Sequence, residues 1–293
     1  MTTHSLGASK HYRNHARHEV TNAHTLDSAL HVSRYKWLLA QHITTSARVL
    51  DIGCGTGYGT ALIAQCASTT VAIDLPTDSP DLTTQVPGVR VHEDDATAPD
   101  LRTRLGEAAF DIVVSFEVIE HLEDYHTFLL NCIDLMNSSG SLILSTPNRR
   151  MTYERYERRR LMDDSHIQEF TPISFTQLLL RYFSSVDLYY QLVPNYWPPH
   201  GSAATVHRTT TRRGSEQSRL KVIAKNWLPP ATQRWLARRL TLSHGLAGIT
   251  TPSRSYDAAT VEFASLSTED PRTYDAFSLV AVARTPRITG ISP

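Results

Sequence analysis

Residues 49–59 read VLDIGCGTGYG, and the fold turns on them. An apolar run ends at Asp51, glycines follow at alternate positions (Gly53, Gly55, Gly57 and Gly59), and a helical pattern, YGTALIAQCA, begins at Tyr58. Glycines at a strand-to-helix turn let the backbone adopt positive φ and come close to a ligand. A dinucleotide-binding turn has the same setting but spaces its glycines GxGxxG, and neither Gly53-x-Gly55 nor Gly55-x-Gly57 continues that way. Asp51 also stands where it repels a pyrophosphate, which is drawn to the positive end of a helix. A ligand carrying positive charge suits that carboxylate better.

Around this turn, β-rich runs alternate with helical ones. ARVLDI, TVAID, VRVHED, FDIVVSF and SLILST read as strands; YGTALIAQCA, a weak DLRTRL and DYHTFLLNCIDLM read as the helices between them. That alternation predicts a doubly wound, Rossmann-like α/β domain with a parallel sheet. Before it, Ala29, Val32, Tyr35, Leu39 and Ile43 recur at helical spacing. After it, Thr171-Pro172 reads as N-cap and first residue of a helix, PISFTQLLLRYF, followed by a sixth strand, SVDLYYQLV. The last strand, AFSLVAVAR, comes only after residue 275. The expected organisation is an N-terminal helical segment or lid over 1–45, a core over 46–193 and 276–287, and a cap insertion over 194–275, since about eighty residues are too many for a bare loop. Within the cap, ATQRWLARRL is expected to be a surface helix.

The 293 residues carry 29 basic and 29 acidic side chains, so no global field favours nucleic acid or an anionic membrane. The three cysteines, Cys54, Cys66 and Cys132, lack metal-site spacing and read as reduced thiols. No run approaches the ~20 apolar residues of a membrane helix, and a cytoplasmic protein is expected.

The residues DIGCGTGYG resemble motif I of class I S-adenosylmethionine-dependent methyltransferases. The resemblance covers about 30–190 and the final strand. It implies a seven-stranded sheet in the order 3-2-1-4-5-7-6, last strand antiparallel, and binding of S-adenosylmethionine with S-adenosylhomocysteine as product. Asp51, Gly53, Gly55 and Gly57 then face the methionine end. Asp74, ending the second strand, is placed to accept the ribose hydroxyls. Asp95 with Ala96, after the third strand, is placed at the adenine, Asp94 being the alternative register. Leu75 and Phe116 complete the implied cofactor set.

Past the fourth strand runs SFEVIEHLEDYH, with Glu117, Glu120 and His121 at i, i+3 and i+4, a single face if a helix starts there. This resembles the ExxEH element of ubiquinone-pathway O-methyltransferases and of the enzymes that methylate the 3′-terminal 2′-hydroxyl of small RNAs. That resemblance implies a divalent cation, Mg²⁺, Mn²⁺ or Zn²⁺, held by Glu117, Glu120, His121 and His166, the last from SHIQEF. The other reading makes His121, with Glu120 beside it, the acid–base group nearest the transfer and needs no metal.

The expected activity is O-methylation of a small hydroxylated acceptor such as a sugar, phenol or secondary metabolite. RNA 3′-terminal 2′-O-methylation, N- or C-methylation, and cofactor binding without transfer are the alternatives, the RNA reading being disfavoured by neutral charge. Weaker signals are the Pro147-Asn148 turn at the pocket mouth, the arginine-rich RRMTYERYERRR as a solvated helix face, His11, His15 and His18 on one face of a surface or lid, and Tyr189, Tyr190, Tyr196 and Trp197 as core or pocket aromatics.

Overall fold

The computed structural model describes residues 25–76, 88–151, 165–194 and 261–287. Eight strands form one sheet: β1 Arg48–Ile52, β2 Thr69–Asp74, β3 Arg90–Glu93, β4 Phe110–Phe116, β5 Met136–Pro147, β6 Phe183–Leu192, β7 Glu262–Ala264 and β8 Ser278–Pro286. The helices are α1 Leu26–Gln41, α2 Tyr58–Ala64, α3 Leu101–Leu105, α4 Tyr125–Leu135 and α5 Pro172–Tyr182. The sheet order is β3-β2-β1-β4-β5-β8-β6-β7. β3 through β5 pair in parallel, and β8 runs antiparallel between β5 and β6.

The expected order therefore holds, with one strand more than the sequence suggests. β7 pairs antiparallel with β6 at the sheet edge. It falls inside the span 194–275 that the sequence sets apart, and three residues are too few to show alternation. Phe263 on β7 stacks on Trp37 of α1 with ring centroids 5.1 Å apart, which gives the short strand its apolar anchor. The helix expected in ATQRWLARRL, the arginines 155 and 158–160, Tyr196, Trp197 and the three N-terminal histidines lie outside the described residues.

Helices cover both faces of the sheet. On one face α3, α4 and α5 bury Leu101, Phe128, Cys132, Phe175 and Leu179 against Leu50, Val71, Val113 and Leu142. On the other, α1 and α2 bring Tyr35, Leu38 and Ile63 onto Val49, Val114, Ile143 and Val280. Each fully buried aliphatic or aromatic side chain is worth about 1.5–3 kcal/mol, so the sheet's continuous apolar strands are its main stabiliser. Caps set the helix starts: the Thr25 hydroxyl accepts from Ser28 N, and Thr171 and Ser174 form a reciprocal capping box with Pro172 in the first turn. α3 is a single short helix that stops at Gly106, φ 61°.

α1 is part of the core. Its first turns, through Leu26, Ala29 and Leu30, pack with Val193, Val261 and Phe277, so the two ends of the segment 195–260 meet against this helix. Farther along, Tyr35 lies over Gly59 so closely that a Cβ there would stand 2.1 Å from its ring. Cys54 and Cys132 are buried as expected, while Cys66 is exposed. No helix among the described residues is long and apolar enough to cross a membrane.

The Tyr35–Gly59 approach makes Gly59→Ala a direct probe of the α1 docking. It is expected to lower stability by about 1–3 kcal/mol through overpacking, read as a lower urea midpoint. Combined with Tyr35→Leu, the loss should be smaller than the sum of the two single changes. An unchanged midpoint for the single variant would show that α1 does not sit on this turn.

Candidate active site

Open α/β sheets bind ligands beyond the carboxyl ends of their strands, where the order reverses. Here that point lies between β1 and β4. Asp51 is the last residue but one of β1, and its side chain is wholly buried. The Thr60 hydroxyl donates to its Oδ2 at 2.6 Å, and the Tyr35 hydroxyl lies 3.4 and 3.5 Å from its two oxygens. Burial raises the Asp51 pKa to about 7, against the two hydroxyl donors that lower it, while the Asp74 charge adds to the rise.

The turn that follows is built on left-handed backbone, with Gly53, Gly55 and Gly57 at φ 77°, 59° and 79°. Gly53 N–H donates to Ile73 O at 2.8 Å, and Gly55 N–H to Asp74 Oδ2 at 2.6 Å. Leu75 N–H donates to Asp74 Oδ1 at 2.8 Å. Asp74 thus ties the glycine turn to the end of β2. Beyond β3, Asp95 Oδ1 accepts from Thr97 N–H and the Thr97 hydroxyl at 2.8 and 2.7 Å. Asp94 forms an ion pair with Arg104 at 2.7 Å. The Asn131 amide holds the same segment by donating to Ala96 O and Ala98 O. Of the two registers the sequence offers, Asp94 is the one already engaged by a cation. Phe116 is largely buried and meets Tyr35 edge-on at 5.0 Å.

The second half begins directly after β4. In place of the helix that would align Glu117, Glu120 and His121, the chain takes Glu117 at φ 55° and makes one 3-10 turn over Ile119–His121. Glu117 therefore parts from the other two. Glu117 turns to Arg34 Nη1 at 3.3 Å and accepts from the Ser145 hydroxyl at 2.7 Å. Glu120, His121 and His166 come together, each offering a ligand atom within 4.8 Å of the others. Glu120 is fully buried, and neither of its oxygens finds a hydrogen-bond partner of full geometry among the described residues. Burial first, then the Glu117 charge, pushes its pKa well above the usual carboxylate range, opposed by its own backbone and the nearby Thr146 hydroxyl. An uncharged acid or a neutralising cation satisfies such a place.

The two halves touch. Val118, between Glu117 and the 3-10 turn, fills the space beside Gly53, where a Cβ would stand 2.3 Å from its Cγ2. Of the weaker signals, Asn148 is buried and donates to Thr273 O and Ala276 O, which fixes the chain leading into β8. Tyr190 is core, and Tyr189 packs on Trp37 at 5.1 Å.

Arg34 is absent from the sequence-based set. Its guanidinium, 1% exposed, donates to Gln191 Oε1 and Ser278 Oγ at 2.9 and 3.0 Å as well as facing Glu117. An arginine inside a helical pattern reads as the solvent side. Its place among Ser33, Tyr35 and Leu38 is the one hint that this face is buried.

Asp51 offers a pH test. An acid with a folded pKa near 7 and an unfolded pKa near 4 binds its proton more tightly in the native state, so stability falls as pH rises through that window. About three units correspond to a loss on the order of 4 kcal/mol. In the ligand-free chain, Asp51→Asn should flatten the fall in urea midpoint between pH 5 and pH 8. A variant with the wild-type slope would show that Asp51 is not the group responsible.

Comparison with known proteins bears on all of this. The methyltransferase-domain family matches residues 22–182. A probable S-adenosylmethionine-dependent methyltransferase of Mycobacterium tuberculosis is 36% identical over 137 residues, covering 46% of this chain and 48% of that protein. A ubiquinone biosynthesis O-methyltransferase of Haemophilus ducreyi is 33% identical over 110 residues, covering 36% of this chain and 47% of that protein. The chain spans about half the length of these curated relatives. Among solved structures, an S-adenosylmethionine-dependent methyltransferase from Archaeoglobus fulgidus shares the fold, with a TM-score of 0.51 and 18% identity over 89% of this chain and 95% of that one. With residues 22–182 of 293 inside the family match, the chain belongs to the methyltransferase-domain family.

Proposed function

We propose that the chain methylates a hydroxyl of a small molecule, with a divalent cation held by Glu120, His121 and His166. The observation that carries this reading is Glu120: a buried carboxylate without full hydrogen bonds, beside two imidazoles. One oxygen and two nitrogen donors suit Mg²⁺, Mn²⁺ or Zn²⁺. The ubiquinone biosynthesis O-methyltransferases among the relatives support a hydroxyl acceptor. Glu117, implied by resemblance as a fourth ligand, is bound instead by Arg34 and Ser145.

S-adenosylmethionine supplies a methyl group on a sulfonium centre. The protein's part is to place that methyl in line with the acceptor oxygen and to remove the oxygen's proton. The glycine turn would let the backbone lie against the methionine end, with Asp51 on that side, where a nearby ammonium would favour the ionised carboxylate. Asp74 and Leu75 would serve the ribose, Asp95 and Ala96 the adenine, and Phe116 would close the apolar side. A bound cation would lower the pKa of a hydroxyl it contacts. With a cation bound, the His121 lone pair would serve as a ligand; without one, the same lone pair would accept the proton of the acceptor hydroxyl. Val118 keeps the two halves in register.

Chelation separates this reading from a metal-free one. Excess EDTA should lower activity on a hydroxylated acceptor by about tenfold or more, and one of Mg²⁺, Mn²⁺ or Zn²⁺ should restore it. His121→Ala should cost on the order of 10²-fold or more in kcat. Full activity under chelation, with His121→Ala still impaired, assigns His121 as a base working alone and rejects the cation.

A further inference from the structure

The cluster is held by a second set of residues from SHIQEF, Ser165–Phe170, that takes no direct part in it. Ile167 N–H and Gln168 N–H both donate to Glu120 O, at 2.9 and 3.2 Å. The Gln168 amide donates to Ile119 O and Leu122 O, each at 3.3 Å. These bonds fasten the segment to the 3-10 turn that carries Glu120 and His121, so His166 arrives at a fixed place.

The orientation of each ring is set at Nδ1. His121 Nδ1 faces the Ser165 carbonyl at 3.3 Å, and His166 Nδ1 faces Glu169 Oε1 at 3.0 Å. A carbonyl or an ionised carboxylate can only accept, so the nitrogen opposite must carry the proton. In a neutral imidazole the lone pair then belongs to Nε2. Both rings are held in the Nδ1–H form, the reverse of the tautomer a free imidazole favours. The rings lie 4.9 Å apart at 64°, and the Glu169 side chain is 1% exposed, so water competes poorly for the bond.

We infer that Glu169 is the positioning residue of this cluster: its carboxylate fixes His166 as the Nδ1–H tautomer, which leaves the lone pair on Nε2 to serve as a cation ligand. The tautomer is a property of the protein alone; only the use of the lone pair rests on the cation reading above. Carboxylates behind histidine ligands act in this way in metal sites, and their loss costs about 10–100-fold in affinity.

Long-range ¹H–¹⁵N spectra of the full chain without cation read the tautomer, with His166 assigned from His166→Gln. The wild type should show His166 protonated at Nδ1 only. Glu169→Ala should move the proton to Nε2, wholly or in exchange, while His121, held by the Ser165 carbonyl, keeps its pattern and reports an intact fold. Glu169→Gln keeps both the side-chain volume and an acceptor oxygen, so it should retain the Nδ1–H form, as the Ser165 carbonyl does for His121. In calorimetry with Mn²⁺ and Zn²⁺, Glu169→Ala should bind about 10–100-fold more weakly than the wild type, with Glu169→Gln between the two. A wild-type His166 protonated at Nε2 or at both nitrogens, or a tautomer unmoved in Glu169→Ala, overturns the inference. Wild-type chain that binds neither cation while its tautomer moves as expected rejects the cation reading and upholds the hold of Glu169 on His166.

Discussion

The absence of two side chains governs the architecture. At Gly53 and Gly59 the space a Cβ would fill is taken, by Val118 on one side and by the Tyr35 ring on the other. The glycine turn is thereby gripped from both directions: the turn after β4 presses on its start, and α1 presses on its end. Everything that follows depends on this double contact. It brings the Tyr35 hydroxyl within reach of Asp51, sets Arg34 one residue away to meet Glu117, and carries the 3-10 turn with Glu120 and His121 to the edge of the glycine turn. A glycine turn that only needed positive φ would tolerate some distance from its neighbours; this one has none to give.

Charge burial is the cost of that arrangement. Asp51, Glu120 and Arg34 are each almost without solvent, in a protein whose formal charge is zero. The three are compensated differently. Arg34 is met by a carboxylate and two neutral acceptors, Asp51 by two hydroxyls, and Glu120 by no bond of full geometry among the described residues. A well-paired group stabilises the frame, whereas a poorly paired one reserves its binding capacity for something else. On this gradient Arg34 belongs to the frame, and Glu120 is the group the frame leaves in need of a partner.

The strand-and-helix order was readable because its signals are local: apolar runs of strand length, a capping Thr-Pro pair at 171–172, and glycines at one turn. β7 was hidden because three residues carry no period, and its place depends on a tryptophan more than 200 residues away. The gathering of Asp51, Asp74 and Asp95 at the ends of β1, β2 and β3 could be read from the strand pattern. The second half could be read only in part. Spacing at i, i+3 and i+4 points to one face only if the backbone is α-helical, and Glu117 at φ 55° breaks that premise. Arg34 and Glu169 were missed for a related reason: each is defined by a bond, one to residues 191 and 278, the other to a histidine ring, and composition does not show such bonds.

The meeting of Val193 and Val261 beside the first turns of α1 has its own consequence. Where a chain leaves and returns at neighbouring points, closing the loop costs entropy that grows only with the logarithm of its length. The sheet registers on either side, β6 with β8 and β6 with β7, are already fixed by strands flanking the junction. The frame is thus indifferent to how much chain is threaded between residues 195 and 260. That stretch can lengthen, shorten or be exchanged over evolutionary time with little strain on the sheet, as an attachment can be changed on a handle that stays the same.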